Sequence, residues 1–212
     1  MNVGKKRIAL SMRVTEAPDY EEPRDALSHD LSALFDAWGM LPAPVPNTLS
    51  EPVAFLDGLS PNLLVLTGGD DLGGTPERDE TEKRLFAGAL ERNLPVLGIC
   101  RGMHLINGHF GGRTKPVAGH VALPHAVRVD AEWGEMYTGE TTVNSYHEQG
   151  IPAEAMGAEL RAFAFDEAGN IEAFHHSTYP VAAIMWHPER TGAPAGDREL
   201  VARLIEERAF WA

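Results

Sequence analysis

The sequence predicts an α/β fold in which a mostly parallel sheet is flanked by helices, with a small antiparallel addition. Two patterns support this class. In the first half of the chain, short apolar runs of strand length alternate with segments of helical periodicity. Right-handed crossovers turn such an alternation into a parallel sheet with helices on both faces. In the second half, short alternating segments follow one another without helices between them, which favours antiparallel strands.

The elements of the first half follow in order. A compact apolar run at residues 7–12 suits a central strand. Over residues 25–38 apolar side chains recur every three or four positions, which predicts a helix that Gly39 ends. Residues 40–45 predict a strand, and the two prolines within it indicate a sheet edge. The alternation continues through a helix, a buried strand and a helix capped by Asp79, at residues 51–59, 62–67 and 79–92.

The alternation ends with a buried strand bounded by Pro95 and Gly98, a sharp turn at Cys100 and a further helix. The last helix is predicted over residues 197–210, where it closes the domain. Between these two helices the short strand-like segments are residues 114–118, 125–129, 141–144, 160–165, 171–174 and 181–186.

Length and composition restrict the class of protein. With 212 residues the chain suits one domain over residues 1–212 with a full core. A net charge of -13 argues against a nucleic-acid partner, and one cysteine cannot form an internal disulfide. No apolar stretch reaches the roughly 20 residues of a membrane span, and the apolar segment after the basic N-terminus is too short for a signal peptide. We therefore expect a cytoplasmic, soluble protein without a membrane partner.

Cys100 lies where the buried strand meets the helix, with Gly98 and Gly102 two positions before and after it. Glycines at these positions permit a sharp strand-to-helix turn, because larger side chains would collide there. Most free cysteines are small buried hydrophobes. A thiol at a helix N-terminus, however, is favoured as the nucleophilic thiolate. The turn therefore predicts that Cys100 is a nucleophile.

A base for this nucleophile is predicted at His187. Pro188 favours an extended chain, in which His187 and Glu189 point to one face. A carboxylate beside an imidazole fixes its tautomer and stabilises its charged form. A His-Pro-Glu segment taken alone is more often a loop, but beside the turn at Cys100 it predicts a triad.

A glycine-rich loop after the strand at residues 62–67 is the third element. Attack on an acyl carbon creates an oxyanion that requires two N–H donors, each worth about 3 kcal/mol. We predict the main-chain N–H groups of Gly69 and Arg101 as these donors. The alternative is a simple glycine turn.

No catalytic metal or other cofactor is predicted. His175 and His176 are adjacent, so on a strand they face opposite ways and do not share a metal easily. The sequence also shows no paired carboxylates at ligand spacing.

Five motifs, spread along nearly the whole chain, resemble those of proteins with the class I glutamine amidotransferase fold, which is a flavodoxin-like sandwich. They are TGGDD at 67–71, RD with Glu82 at 78–82, GICRG at 98–102, NSYHEQG at 144–150 and WHPE at 186–189. Within that fold they are similar to the stand-alone γ-glutamyl hydrolases grouped with γ-glutamyl-γ-aminobutyrate hydrolase. In that family a Cys–His–Glu triad cleaves a γ-glutamyl amide through a thioester that water then hydrolyses. The resemblance assigns these roles to Cys100, His187 and Glu189.

The resemblance also implies a glutamyl pocket around His147. The family usually has a glutamine four residues after the nucleophile, whereas this chain has His104, an imidazole that can still donate or accept a hydrogen bond. We expect substrate recognition to differ there. The predicted substrate-binding residues are Gly68, His104, His147, Glu148, Gln149 and Arg190.

A narrower set of motifs resembles the γ-glutamyl-CDP-amidate hydrolases of bacterial capsule biosynthesis. These are SMR at 11–13, RD at 24–25, PN at 46–47, RDETE at 78–82, GHV at 119–121 with His125, and WHPER at 186–190. A diphosphate on an acidic protein would require local positive charge. The candidates, each of which has solvated surface charge as its alternative, are Arg101, Arg113, Lys115, His120 and Arg190.

The leading hypothesis is a stand-alone hydrolase of a small γ-glutamyl amide, with γ-glutamyl-CDP-amidate as the expected substrate and cytidine diphosphoramidate as the product. A second hypothesis is a glutaminase subunit that supplies ammonia to a partner synthetase, although the first hypothesis requires no such partner. Another γ-glutamyl amine, such as γ-glutamyl-GABA, is an alternative substrate. A catalytically inactive binding protein is the hypothesis from a different class.

Overall fold

The computed structural model describes residues 4–137 and 140–211, which are organised around one mixed sheet of eleven strands. The strands within these residues are β1 (Arg7–Ser11), β2 (Arg13–Glu16), β3 (Pro23–Ala26), β4 (Leu41–Val45), β5 (Leu63–Leu66), β6 (Val96–Ile99), β7 (Lys115–Pro116), β8 (His125–Val129), β9 (Glu140–Val143), β10 (Gln149–Pro152), β11 (Leu160–Phe165), β12 (Asn170–His176) and β13 (Val181–Ile184). The α-helices are α1 (His29–Ala37), α2 (Pro52–Leu59), α3 (Pro76–Glu91), α4 (Arg101–His109) and α5 (Asp197–Glu206).

The parallel part of the sheet consists of β4, β1, β5, β6 and β13, in that order. Every residue of β5, β6 and β13 is buried, as expected for parallel strands that helices cover. Helix α4 packs on β5, β6 and β13, while α1, α2 and α3 pack on β4, β1 and β5 respectively. The predicted fold class, a mostly parallel sheet flanked by helices, is confirmed, and β4 lies at the predicted edge.

The antiparallel part continues the sheet from β13 through β12, β11, β8 and β9, and β10 pairs with both β12 and β7. Strands β8 and β11 have the predicted bounds, whereas β10 is an additional strand that the sequence did not indicate. Among the described residues, no helix is both long and apolar enough to cross a membrane.

The segment between β1 and α1 differs from the prediction. Residues 13–26 form a two-stranded antiparallel hairpin, β2–β3, and α1 begins at His29 instead of residue 25. Ser28 caps α1 through a hydrogen bond from the Asp30 N–H to its Oγ, at 3.2 Å. Asp25 instead accepts hydrogen bonds from the main chain and the side chain of Asn47, at 2.9 and 2.6 Å. Asp25, the predicted first residue of the helix, therefore forms a tertiary contact with Asn47 instead.

Helix α3 also begins earlier than predicted, at Pro76 after Thr75, so Asp79 does not cap it. The Asp79 carboxylate instead accepts the N–H of Gly73 at 2.7 Å and ion-pairs with Arg101. The last helix, α5, ends at Glu206, four positions before the predicted end. Gly39, with φ +79°, follows α1 as predicted.

Candidate active site

Cys100 occupies a strained turn between β6 and α4. Its φ and ψ angles are +51° and −104°, a conformation that costs a non-glycine residue about 1–3 kcal/mol. The flanking glycines fit tightly: a Cβ at Gly98 would lie 2.6 Å from Cδ1 of Ile106, and one at Gly102 would lie 2.1 Å from the carbonyl oxygen of Leu66. The predicted steric reason for both glycines is confirmed. The turn raises one thiol at the carboxyl end of β6.

His187 and Glu189 follow β13, the parallel neighbour of β6. Ile184 at the end of β13 pairs with Ile99 at the end of β6, so the two strands deliver Cys100 and His187 to the same edge of the sheet. Nδ1 of His187 lies 2.8 Å from Oε1 of Glu189. Since an ionised carboxylate only accepts, Nδ1–H donates, and Nε2 is the nitrogen left for proton transfer.

Gly68, after β5, brings these side chains together. A Cβ at Gly68 would lie 2.7 Å from Cε1 of His187 and 3.5 Å from Cβ of Cys100. The imidazole and the cysteine therefore meet above this glycine, and any side chain here would displace the imidazole. The structure thus brings Cys100, His187 and Glu189 into one cluster.

A cavity of about 300 Å³ opens beside Cys100. Six of the predicted site residues line it, namely Gly69, Cys100, Arg101, His104, His147 and Glu148. Asp70, Asp71, Val121 and Tyr146 complete the lining. The cavity is therefore a small, polar space at the proposed nucleophile.

The remaining predicted residues lie around this cavity. Gln149 contributes its carbonyl oxygen, 2.8 Å from Nδ1 of His147. The Arg190 guanidinium lies 4.1 Å from the centroid of the Tyr146 ring and 3.8 Å from the Glu189 carboxylate. Arg113 and Lys115 are exposed, and neither is among the described residues that line this cavity. Of the predicted positive groups, Arg190 and His120 lie close to the site, since Nδ1 of His120 is 3.2 Å from Nε2 of His147.

Burial governs the protonation of Cys100. It raises the pKa of the thiol to about 12, and the charges of Glu189 and Glu172 act in the same direction. A hydrogen bond from the Arg101 N–H and the charge of Arg190 lower the pKa, but to a smaller extent. The expected stabilisation of a resting thiolate by the helix N-terminus is therefore outweighed. With this pKa, Cys100 rests as a neutral thiol near pH 7.

The Arg101 side chain is unavailable to a ligand. Its guanidinium is buried and ion-pairs with Glu82 and Asp79. The expectation that Arg101 supplies positive charge to a diphosphate is therefore wrong for its side chain, because two carboxylates already bind it. Its main-chain N–H still faces the cysteine sulfur.

A second buried arginine, Arg78, fixes the glycine loop from below. Its guanidinium donates to the carbonyl oxygens of Thr67 and Gly68, at 2.8 and 3.0 Å. It also ion-pairs with Asp70 at 2.9 Å and with Glu82 at 3.0 Å. A buried ionic network therefore defines the path of the main chain that leads to Gly69.

His104 is buried in the cavity wall. Burial lowers its pKa to about 4, so the imidazole is neutral near pH 7. Within the described part of the chain, its Nε2 atom is buried and has no hydrogen-bond partner. A buried nitrogen of this kind is a ready contact for a polar group of a ligand.

Three further residues have roles that the sequence did not predict. Asn144, noted only as part of a motif, holds the main chain of His187 through hydrogen bonds of 2.9 Å. Glu172 is 1% exposed within β12. A carboxylate among the apolar residues of this strand is the sequence feature that indicates a special role. Asp197 is buried at the start of α5 and accepts from Trp186 and Tyr137, a partnership that no local pattern reveals.

Comparisons with known proteins agree with this architecture. A family model described as Peptidase C26 matches residues 39–189. The γ-glutamyl-CDP-amidate hydrolase of Campylobacter jejuni is 29% identical over 191 residues, which cover 86% of this chain and 90% of the relative. The γ-glutamyl-γ-aminobutyrate hydrolase PuuD of Escherichia coli is 30% identical over 198 residues, covering 75% and 76% of the two chains.

A solved structure from Thermoplasma acidophilum, provisionally described as part of a GMP synthase, has a TM-score of 0.74 at 22% identity and covers 98% of this chain and 96% of its own. A glutamine amidotransferase of Thermotoga maritima has a TM-score of 0.64 at 14% identity, with 97% and 86% covered. The sequence match to one relative, from Mycobacterium tuberculosis, spans only 58% of that relative's length.

The sheet and the turn at its edge define a fold of the class I glutamine amidotransferase type. Within that class, the chain belongs to the Peptidase C26 family of glutamine amidotransferase-like γ-glutamyl hydrolases.

Proposed function

We propose that the protein hydrolyses a γ-glutamyl amide with Cys100 as the nucleophile, His187 as the base and Glu189 as the group that orients it. The observation that carries this proposal is the pair of His187 and Glu189, 2.8 Å apart, which meets Cys100 above Gly68. In addition, Cys100 lies in a strained turn between β6 and α4, and a cavity opens beside it.

In the first half of the reaction, Nε2 of His187 takes the thiol proton while the sulfur of Cys100 attacks the γ-carbonyl carbon. The tetrahedral intermediate collapses as the C–N bond breaks, and His187 returns the proton to the leaving nitrogen. In the second half, His187 takes a proton from water, whose oxygen attacks the thioester. The C–S bond then breaks, His187 returns the proton to the sulfur, and glutamate leaves the restored thiol. Because the Cys100 thiol is protonated at rest, its proton moves to His187 in the same step in which the sulfur attacks the carbonyl carbon.

The main-chain N–H groups of Gly69 and Arg101 are the proposed donors to the oxyanion. Both residues line the cavity at Cys100, and Arg78 fixes the carbonyl of Gly68, the peptide unit that carries the Gly69 N–H. A donor held in this way needs no reorganisation when charge develops on the oxygen.

For the substrate we propose γ-glutamyl-CDP-amidate, which would yield glutamate and cytidine diphosphoramidate for capsular polysaccharide modification in the cytoplasm. The support is the Campylobacter jejuni relative, which matches 90% of its own length at 29% identity. The proposed substrate-binding residues are Gly68, His104, His147, Glu148, Gln149 and Arg190. The unpartnered Nε2 of His104 is the contact proposed for the glutamyl group.

Two alternatives keep the same chemistry. The Escherichia coli relative, at 30% identity, favours γ-glutamyl-GABA as a substrate. The Thermoplasma acidophilum structure favours a glutaminase that serves a synthetase. Glutaminase activity measured with and without candidate synthetases separates the last alternative from a stand-alone hydrolase. A strong increase of this activity on addition of a synthetase would contradict the stand-alone hydrolase.

The test of the mechanism is Cys100→Ala, which should lower kcat by roughly 10⁴-fold or more. Mass spectrometry of the wild-type protein with substrate should find a glutamyl adduct on Cys100. Ordinary turnover by the alanine variant would overturn the proposal. The test of the substrate is glutamate release from γ-glutamyl amides with different leaving groups. If only the γ-glutamyl amides of small amines react, γ-glutamyl-CDP-amidate is excluded as the substrate.

A further inference from the structure

Three side chains form a compact cluster beside the active-site cavity, and only one of them, His147, also has a proposed role in substrate binding. Nδ1 of His120 lies 3.2 Å from Nε2 of His147, and Oε1 of Glu172 lies 3.7 Å from the His147 atom and 4.0 Å from the His120 atom. The three residues come from separate segments, so their spacing in the sequence gave no metal signature. The adjacent pair of His175 and His176 lies elsewhere on β12 and takes no part in the cluster.

The separations match the coordination of a tetrahedral ion. Bonds of 2.0–2.1 Å from zinc to nitrogen or oxygen place neighbouring ligand atoms ~3.3 Å apart. The three observed separations differ from that value by at most about 0.7 Å, a shift that small side-chain rotations provide. Two imidazoles and one carboxylate would leave the fourth position open.

The tautomer of His147 suits this role. Its Nδ1 lies 2.8 Å from the carbonyl oxygen of Gln149, an acceptor, so Nδ1 carries the proton. The lone pair is therefore on Nε2, which faces the cluster. A hydrogen bond from the second ring nitrogen to a carbonyl or carboxylate is the usual support of a metal-binding histidine.

Glu172 provides the independent observation. Its side chain is 1% exposed, and neither carboxylate oxygen has a hydrogen-bond partner among the described residues. The nearest cation candidate on its other side is His125, whose Nε2 lies 3.4 Å from Oε2 without hydrogen-bond alignment. A buried carboxylate without donors is costly, and a bound cation would compensate it directly.

The surroundings supply outer contacts and access. Oδ2 of Asp166 lies 3.5 Å from Nε2 of His120, the ring nitrogen that points away from the cluster. This is the arrangement of carboxylate, histidine and metal found around zinc sites. A cavity of about 330 Å³, lined in part by His120, His125 and Asp166, gives an ion a route to the cluster.

We propose that His120, His147 and Glu172 bind a divalent cation of the zinc type, with Asp166 supporting His120 and one coordination position open. Binding moves the proton that His120 Nδ1 shares with His147 Nε2 to Nε2 of His120, which faces the Asp166 carboxylate. Because His147 also lines the cavity at Cys100, the ion would lie in the wall between the two cavities.

Untagged full-length protein, stripped with a chelator and dialysed, provides the test. Titration with Zn²⁺ in a calorimeter should give one site, and Co²⁺ should give the visible absorption of a tetrahedral complex. His120→Asn and Glu172→Gln should each weaken Zn²⁺ binding by more than the roughly 10–100-fold typical of losing an outer-shell partner. Glu172→Gln removes a buried group, so His120→Asn, a half-buried position, keeps the test valid if the former fails to fold.

Two controls separate this site from others. His29→Asn removes an exposed histidine of α1 and should leave Zn²⁺ affinity unchanged. Cys100→Ala should also retain binding, which distinguishes the cluster from the thiol and from the hydrolysis proposed above. Affinity weaker than millimolar, affinity unchanged in both His120→Asn and Glu172→Gln, or affinity lost with Cys100 would overturn the proposal.

Discussion

The side-chain amide of Asn144 holds the main chain of His187 from both sides. Its nitrogen donates to the His187 carbonyl oxygen and its oxygen accepts the His187 N–H, each over 2.9 Å. Both residues are buried, so no water replaces these bonds easily. The position of the His187 main chain, from which the imidazole projects, is therefore fixed by the residue that follows β9.

We expect Asn144→Ala to lower kcat by roughly 10–100-fold, since a misplacement of about 1 Å can cost that much. The variant should also lose about 1–3 kcal/mol of stability because a buried N–H and C=O lose their partners. Steady-state kinetics and thermal unfolding measure both. Asn62→Ala is the control, since Asn62 accepts the N–H of Arg7 at the amino end of β5. Equal loss of kcat in both variants would contradict a positioning role.

Glu189→Gln should lower kcat by roughly 10²–10⁴-fold, because a neutral amide stabilises a charged imidazole poorly and permits the wrong tautomer. Glu91→Gln, a change of the same type at the exposed end of α3, should have no effect. The measurement is glutamate release at saturating substrate. Activity of Glu189→Gln within a factor of three of wild type would exclude Glu189 from the triad.

Gly68→Ala should reduce kcat by at least ~10-fold because the new methyl group would lie 2.7 Å from the His187 ring. Gly108→Ala is the matched control, since a Cβ there meets nothing within 4 Å and alanine favours the helix. Activity and melting temperature of both variants should be compared. If the two alanines behave alike, the close approach at Gly68 does not constrain the imidazole.

The alkylation of Cys100 by iodoacetamide should keep rising with pH up to the limit of protein stability. With a pKa raised to about 12 by burial, the thiolate fraction increases about tenfold per pH unit throughout that range. The Cys100→Ala protein provides the background. A plateau below pH 8 would show that the resting cysteine is already a thiolate, as the helix N-terminus alone would suggest.

Asp197 should make stability fall as pH rises. Burial raises its pKa to about 7, above the value of ~3.9 expected in the unfolded chain. The folded state therefore binds the proton more tightly, so the contribution is fully present below pH ~4 and is lost as pH rises to ~7. Its size is on the order of 4 kcal/mol.

The test of Asp197 is chemical denaturation of wild type and Asp197→Asn between pH 4 and pH 8. The difference in unfolding free energy should change in favour of the asparagine variant as pH rises. A pH-independent difference would mean that the carboxyl titrates alike in both states.

The parallel core and the turn at Cys100 were predictable because their signals are local. Apolar runs set β5 and β6, and Gly98 and Gly102 mark the turn by steric need. The hairpin β2–β3 was not predictable, since its segment is rich in charge and proline and Asp25 is engaged by the distant Asn47.

The candidate site shows the same division. The pairing of His187 with Glu189 follows from two positions in an extended chain, so the sequence predicts it. The pairing of Arg101 with Glu82 and Asp79 depends on how α3 packs near α4. The pKa of Cys100 depends on burial by many segments at once. Properties of this second kind require the tertiary structure.

The parallel pairing of β6 with β13 also orders events during synthesis. His187 follows Cys100 by 87 residues, so at ~5–20 residues per second the proposed base leaves the ribosome roughly 4–17 s after the proposed nucleophile. Until β13 joins the sheet, the thiol lacks the imidazole of His187. We therefore expect a nascent or truncated chain that ends before β13 to contain the cysteine but not to turn over substrate, because the proposed base is missing until the sheet is completed.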